Sequence, residues 1–278
     1  EIRDATHPDI GADEVDLGVP MAGEYQIGAA RLFKTFTEAV DSISQVGVSD
    51  SVKFLVDAGT YNEQFVIPHI PLSTAEKHVS FISASGNPED VVLEYRSNSA
   101  DNNFVIEFDS ASYISIEDIT VNALDTTYAT AIHMVNGCEY LTLKDNILTS
   151  DSSITSSVIV SENGLNNDLL ISGNTITGGL AGVYLIGENG SQSIGNKVIG
   201  NTLVNQDQSG IYMKYQQWQQ ILKNEVSHTN PIESQWLGIA LFNCTSTYDS
   251  AGVVANNMIY HNTNQMSAGI LLSASSHQ

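Results

Sequence analysis

Basic side chains are scarce in this chain. Its 278 residues hold ten lysines and arginines against 32 aspartates and glutamates, a net charge of −22. A surface of that sign repels phosphate backbones and anionic headgroups, so no nucleic acid and no membrane insertion is expected. Cysteine is rarer still: Cys138 and Cys244 are too few for a disulfide scaffold. No apolar run is long enough to cross a bilayer, and neither an initiator Met nor a signal segment opens the chain, which is expected to be a mature or excised piece of a secreted protein. The seven histidines lack HExxH or any other metal spacing, and the acidic residues form neither an EF-hand loop nor a nonapeptide calcium repeat. No cofactor is therefore expected, with a calcium ion bound by irregular acidic loops left open. Helical and leucine-rich repeats are excluded too, because neither a sustained apolar period near 3.6 nor a leucine-dense consensus is present.

What the chain does contain is a repeated phrase. Gly173-Asn174-Thr175-Ile176, Gly200-Asn201-Thr202-Leu203, Lys223-Asn224-Glu225-Val226 and Asn256-Asn257-Met258-Ile259 follow Asp145-Asn146-Ile147-Leu148. Two apolar columns travel with the asparagines: Leu143, Ile171, Val198, Ile221 and Val254 before them, Leu148, Ile176, Leu203, Val226 and Ile259 after. A second set, Ile132, Val158, Val183, Ile211, Ile239 and Ile270, has its own phase, and from residue 183 onward each member follows a glycine. Apolar partners two residues further on give it strand periodicity. Each unit thus reads as short strand, loop, short strand, turn. Units this short cannot bury their own apolar face and must stack, which predicts a solenoid. With coils about 4.8 Å apart, Asn146, Asn174, Asn201, Asn224 and Asn257 would form a structural ladder at one turn, where asparagine tolerates left-handed backbone and its amide can bond those above and below. Cys138 and Cys244, four coils apart at about 19 Å, are expected as free thiols.

The Asn turn, the Gly-[Ile/Val]-x-[Leu/Met] strand and the segment Asp57-Ala58-Gly59-Thr60-Tyr61-Asn62-Glu63-Gln64 resemble the right-handed parallel β-helix superfamily of pectate lyases, pectin methylesterases and their non-enzymatic relatives. The resemblance implies an all-β, right-handed parallel β-helix solenoid. Before it, Thr35-Phe36-Thr37-Glu38 is a capping box, and Leu32, Phe33, Phe36, Ala39, Val40 and Ile43 make an apolar stripe ending near Gly47, which predicts one N-terminal helix capping the core. Residues 19–50 are thus expected as a linker strand and cap helix, and 51–278 as coils continuing beyond the last residue. The strip Pro8-Asp9-Ile10-Gly11-Ala12-Asp13-Glu14 resembles the closing segment of tandem β-helix domains in very large secreted bacterial surface proteins, so residues 1–18 are expected to end a preceding domain or form a linker.

The superfamily's lyases use basic residues, often with calcium, on polyuronates. Here Arg3, Arg31 and Arg96 all precede the repeated phrase, and only Lys144, Lys197, Lys214 and Lys223 lie in later coils. The Asn-x-Asp and Asp-Asp signatures of polygalacturonases are missing, with Asn166-Asn167-Asp168 and Asn205-Gln206-Asp207 the nearest approximations. No catalytic residue is assigned, and the expectation leans away from an enzyme. The binding candidate is the outward face of the Gly-associated strand. Its rows are expected to read His133, Ile159, Tyr184, Tyr212, Ala240, Leu271 and Val135, Ser161, Ile186, Lys214, Phe242, Ser273. Tyr215, Trp218 and Trp236 are placed in flanking loops as groove walls, and His133 by default as a lone surface histidine. Ligand contact is thus expected at His133, Tyr184, Tyr212, Lys214, Trp218, Trp236 and Phe242, since aromatic rings suit both sugars and protein interfaces. The function expected is a stalk or adhesin module of a secreted surface protein or filament. Its partners would be neighbouring β-helix domains, or copies of the same chain end to end, and surface glycans. The alternative is a carbohydrate-active enzyme or glycan-binding module on the same fold.

Overall fold

A computed structural model describes residues 18–151, 155–229, 235–246, 251–262 and 267–276. Three parallel sheets run along one axis. Sheet A has nine strands from Met21–Ile27 to Val253–Ala255, sheet B eight from Gly59–Asn62 to Met258–His261, and sheet C eight from Phe65–Pro68 to Ser267–Ser273. The chain visits A, B and C in turn and repeats this eight times, so each coil has three strands where the sequence pattern suggested two. The missed strand is explained by the asparagine phrase: it is not one strand but a corner joining two. Leu170–Ser172 of sheet A and Thr175–Gly178 of sheet B, for example, flank Asn174.

At that corner two neighbouring residues divide the labour. The left-handed position belongs to the residue before each asparagine: Asp145, Gly173, Gly200, Lys223 and Asn256 have φ between 54° and 68°. The asparagine supplies the amide instead. Asn174 Oδ1 accepts from the backbone N and Nδ2 of Asn146 at 2.9 and 3.0 Å, and Asn174 Nδ2 donates to Leu143 O at 2.9 Å. The same bonds join Asn174 to Asn201, Asn201 to Asn224 and Asn224 to Asn257. The ladder begins at Ile119, whose N–H donates to Asn146 Oδ1. Asn146, Asn174, Asn201 and Asn224 are about 1% exposed, so each amide, buried without these bonds, would cost about 1–3 kcal/mol.

The glycines within the sheet C strands answer a packing demand. A Cβ at Gly182 would stand 2.7 Å from Leu203 Cδ2, one at Gly210 would collide with Val226 Cγ1, and one at Gly238 with Ile259 Cγ2. Sheet B side chains fill the space that the sheet C glycines leave. The two columns noticed in the sequence are therefore the two sides of one contact.

The first coils are built differently. Phe54 stacks on Phe81 at 4.8 Å, and Phe36 of helix α1 (Phe36–Val46) stacks on Phe65 at 5.5 Å and meets Tyr61 edge-on at 5.2 Å. The helix is amphipathic and lays Phe36, Ala39, Val40 and Ile43 over the end of the core. Thr35 Oγ1 caps it, accepting from Glu38 N at 3.1 Å. Glu63 adds a cap from the first coil, accepting from Phe36 N, Thr37 N and Thr37 Oγ1 at 2.8–3.1 Å. Tyr61 donates to Asp57 O, and Asp57 pairs with Arg31. The Asp57–Glu63 segment is thus the dock for the helix. The expected linker strand is Met21–Ile27, which pairs with Val48–Val56 as the first strand of sheet A. Residues 1–17, and with them the expected domain terminator, lie outside the described residues.

At the other end the interior opens. Ile270 and Leu272 are 48% and 50% exposed, whereas their partners one coil earlier, Ile239 and Leu241, are fully buried. Cys138 and Cys244 are buried and in no disulfide, and burial pushes both thiols up to about 11.

Candidate functional site

Register decides what the outward face of sheet C presents. Ile132 pairs with Ile159, and Ile159 with Val183, so Ile159 and Ser161 turn inward and are buried. The expected phase of this coil is off by one residue. Three consecutive branched residues, Val158-Ile159-Val160, satisfy a period of two in either phase, which is why the pattern misled. The outward rows therefore run Glu107, His133, Val160, Tyr184, Tyr212, Ala240 and Asp109, Val135, Glu162, Ile186, Lys214, Phe242.

That correction brings Glu162 to His133, which Glu107 already faces from the preceding coil, so His133 is not a lone surface histidine. Its Nδ1 lies 2.8 Å from Glu107 Oε2 and its Nε2 3.6 Å from Glu162 Oε1, one carboxylate from the coil on each side. Burial alone would lower the imidazole's pKa, but the bonds and charges of Glu162 and Glu107 outweigh it and raise it above 6.5. The bond to His133 in turn holds Glu162 below its ordinary range. The two carboxylates engage opposite ring nitrogens, so the trio cannot converge on one ion, and among the described residues no group of three or more ligating side chains is placed to hold a metal.

Further along the axis, Tyr184 stacks on Tyr212 at 4.9 Å, and Tyr212 on Phe242 at 5.2 Å, with interplanar angles of 22° and 29°. The rings cover one another's faces and offer mainly edges outward. Burial raises the phenol pKa of both tyrosines. Trp236 departs from expectation. It opens the strand Trp236–Phe242, is fully buried, and donates Nε1–H to Gln206 O at 3.0 Å between the rings of His228 and His261. An indole with its polar atom satisfied internally is held as core, so Trp236 is no groove wall.

Lys214 and Trp218 belong to a different locus. The turn after sheet C carries a groove of about 550 Å³ lined by Asn189, Gln192, Tyr215, Gln217, Asn243 and Thr245 among others. Lys214 Nζ sits 4.9 Å over the Tyr215 ring on its rim. Trp218, 38% exposed, lies in the same turn, its N–H donating to Ser246 Oγ at 3.3 Å. The sequence-derived candidates thus separate into a clamp at His133, a stack of Tyr184, Tyr212 and Phe242, and a turn holding Lys214 and Trp218. The residues missed were Glu162, which the correct register would have revealed, and Glu107, whose strand Ile106–Asp109 precedes the set of strands recognised in the sequence. Asn189, Gln192 and Asn243 were also missed, because they meet only through coil stacking.

No protein-family model and no curated protein matches the chain. Similar solved structures exist. The pectin methylesterase of Aspergillus niger is 13% identical with a TM-score of 0.51, covering 90% of this chain and 88% of its own. A pectate lyase is 10% identical with a TM-score of 0.49, covering 94% and 80%, and a rhamnogalacturonan lyase is 12% identical with a TM-score of 0.49, covering 86% and 73%. At 13% identity the likeness to the pectin methylesterase is one of fold alone, the parallel β-helix.

Proposed function

We propose that this chain is a display module: an extracellular stalk or adhesin segment, joined end to end with neighbouring β-helices or copies of itself, whose turns make contact with surface glycans or proteins. The observation that carries the reading is the direction in which the prominent side chains are satisfied. Glu107, His133 and Glu162 bond along the axis, Tyr184, Tyr212 and Phe242 stack along the axis, and the buried asparagines bond along the axis. Groups so engaged reinforce a rod, whereas catalysis requires groups free to converge on a reacting atom. Eight coils give a rod of about 38 Å at about 4.8 Å per coil. Its net charge of −22 supports separation of parallel fibres. Among the described residues no helix is long and apolar enough to cross a membrane, which accords with a secreted or surface location.

The fold shared with the pectin methylesterase favours a second reading, a carbohydrate-active enzyme on the same scaffold. Electron microscopy of the full-length gene product, paired with assays for methanol and reducing-sugar release from pectin, separates the two. Display requires rods of several β-helix lengths without release; a single β-helix that releases either product overturns it.

A further inference from the structure

The groove on the turn after sheet C differs from the axial face beside it, because it is a concavity lined by amides and hydroxyls. Its floor is fixed in advance. Gln192 Nε2 donates to Asn243 O at 2.8 Å while its Oε1 accepts from Thr245 Oγ1 at 2.6 Å, tying residues 51 and 53 positions apart. One wall is a tight hairpin in which Glu188 and Ser191 exchange backbone hydrogen bonds, with Asn189 and Gly190 exposed at its tip. Tyr215 and Trp218 hold φ of 54° and 57°, a region bulky side chains rarely adopt and one where a packed structure must impose the strain. That strain holds two aromatic side chains within four residues of one turn. Lys214 occupies one face of Tyr215, so a further partner would take the other.

The chemistry of the lining selects the ligand. Among the described residues that line the groove none is a carboxylate, and Glu188 lies in the hairpin of its wall. The polar groups are amides of Asn189, Gln192, Gln217 and Asn243 and hydroxyls of Tyr215 and Thr245, which can donate and accept as ligand hydroxyls do. An anionic ligand would face a net charge of −22 with Lys214 as the cation on the rim. We propose that this groove binds a neutral oligosaccharide, which stacks on Tyr215, hydrogen-bonds Gln217 and Asn243, and extends past the lining to the exposed Trp218 of the same turn. The inference rests on the glycan-contact part of the display reading and gives that contact a place on the turn, away from the mutually stacked rings of Tyr184, Tyr212 and Phe242. Microscopy of the rod is independent of it, so failure of binding leaves rod formation as a separate result.

The test is calorimetric titration of the chain with cellohexaose, xylohexaose, laminarihexaose and mannohexaose, with hexagalacturonate as the charged comparison. Tyr215→Asn and Trp218→Asn remove the rings while keeping a residue that tolerates left-handed backbone. Gln217→Ala removes one amide without touching the turn's φ, and covers the case in which an aromatic variant misfolds. At least one neutral hexasaccharide should bind, hexagalacturonate should not, and each variant should weaken binding about tenfold with the melting temperature retained. No binding by any neutral hexasaccharide, binding unchanged in Gln217→Ala and the folded aromatic variants, or tighter binding of hexagalacturonate would overturn the proposal.

Discussion

In the first two coils the interior is aromatic and closed by a helix, whereas from Asn146 onward it is mainly aliphatic, Trp236 apart, notched by glycines and tied by side-chain amides. Phe36, Phe54, Phe65 and Phe81 interlock as individual shapes. Later coils use the same few contacts again: Asn on Asn, and a glycine of sheet C against an aliphatic side chain of sheet B. The contrast follows from position. A coil at the covered end must fit both its neighbour and a helix that has no repeat, so its residues are irregular. A coil in the middle meets copies of itself above and below, so any contact that works once works at every level. Repetition therefore strengthens in the sequence as distance from α1 grows.

The sharpest way to break this comparison is to empty the aromatic end. Phe36→Ala should lower unfolding free energy by about 4 kcal/mol, since Phe36 is fully buried between Phe65, Phe81 and Tyr61. Denaturant titration measures it, and a loss as small as that of the half-exposed Ile270→Ala would show that the helix does not close the core. Next comes the amide tie. Asn201→Leu leaves Asn174 N–H and Nδ2 without their acceptor, Ile171 O without its side-chain donor and Asn224 Oδ1 with one donor fewer, at a cost of about 3 kcal/mol. The glycine notch should matter somewhat less. Gly210→Ala would press on Val226 and stand 2.7 Å from Gly238 O, a backbone atom that cannot step aside, for a cost of about 2 kcal/mol. Gly269→Ala in the open last coil meets nothing within 4 Å, so its melting temperature should match the parent. Equal losses from the two glycine variants would remove the steric account.

The smallest effect belongs to His133. Its folded pKa is raised, so its stabilising contribution is complete below the ordinary 6.5 and is lost as pH rises through the raised value. Glu162 is lowered, so its contribution holds above the ordinary 4.5 and is lost as pH falls through the lowered value. The clamp should thus help most from mildly acidic to near-neutral pH. Melting curves from pH 5 to pH 9 should show a small decline on the alkaline side that His133→Gln abolishes; a decline identical in both proteins would assign it elsewhere.

These same residues explain what could be read from the chain before its structure. The asparagine and glycine columns were visible because stacking copies them in phase with apolar partners, and the cap helix because Thr35-Phe36-Thr37-Glu38 and its stripe are local. The third strand of each coil was hidden, since sheets A and B meet at a single corner that a linear pattern merges. Val158-Ile159-Val160 has no polar alternation to set its phase, and the error there concealed the pairing of Glu162 with His133. Trp236 carried no local sign of burial, which depends on Gln206, His228 and His261 from other strands. Glu63 was part of a recognisable segment, yet its task of capping α1 exists only once the first coil and the helix meet. The groove was invisible for the same reason, assembled from turns up to three coils apart.

Backbone hydrogen exchange at the asparagine corner tests the account most directly. The N–H groups of Asn146, Asn174, Asn201 and Asn224 donate to side-chain oxygens one coil away, not to strand partners. If the ladder ties the coils together, these four turn amides should exchange as slowly as the adjoining core strands, and Asn201→Leu should speed exchange at Asn174 before it affects the aromatic end. Exchange of the four amides at the rate of exposed turns in the parent protein would contradict it.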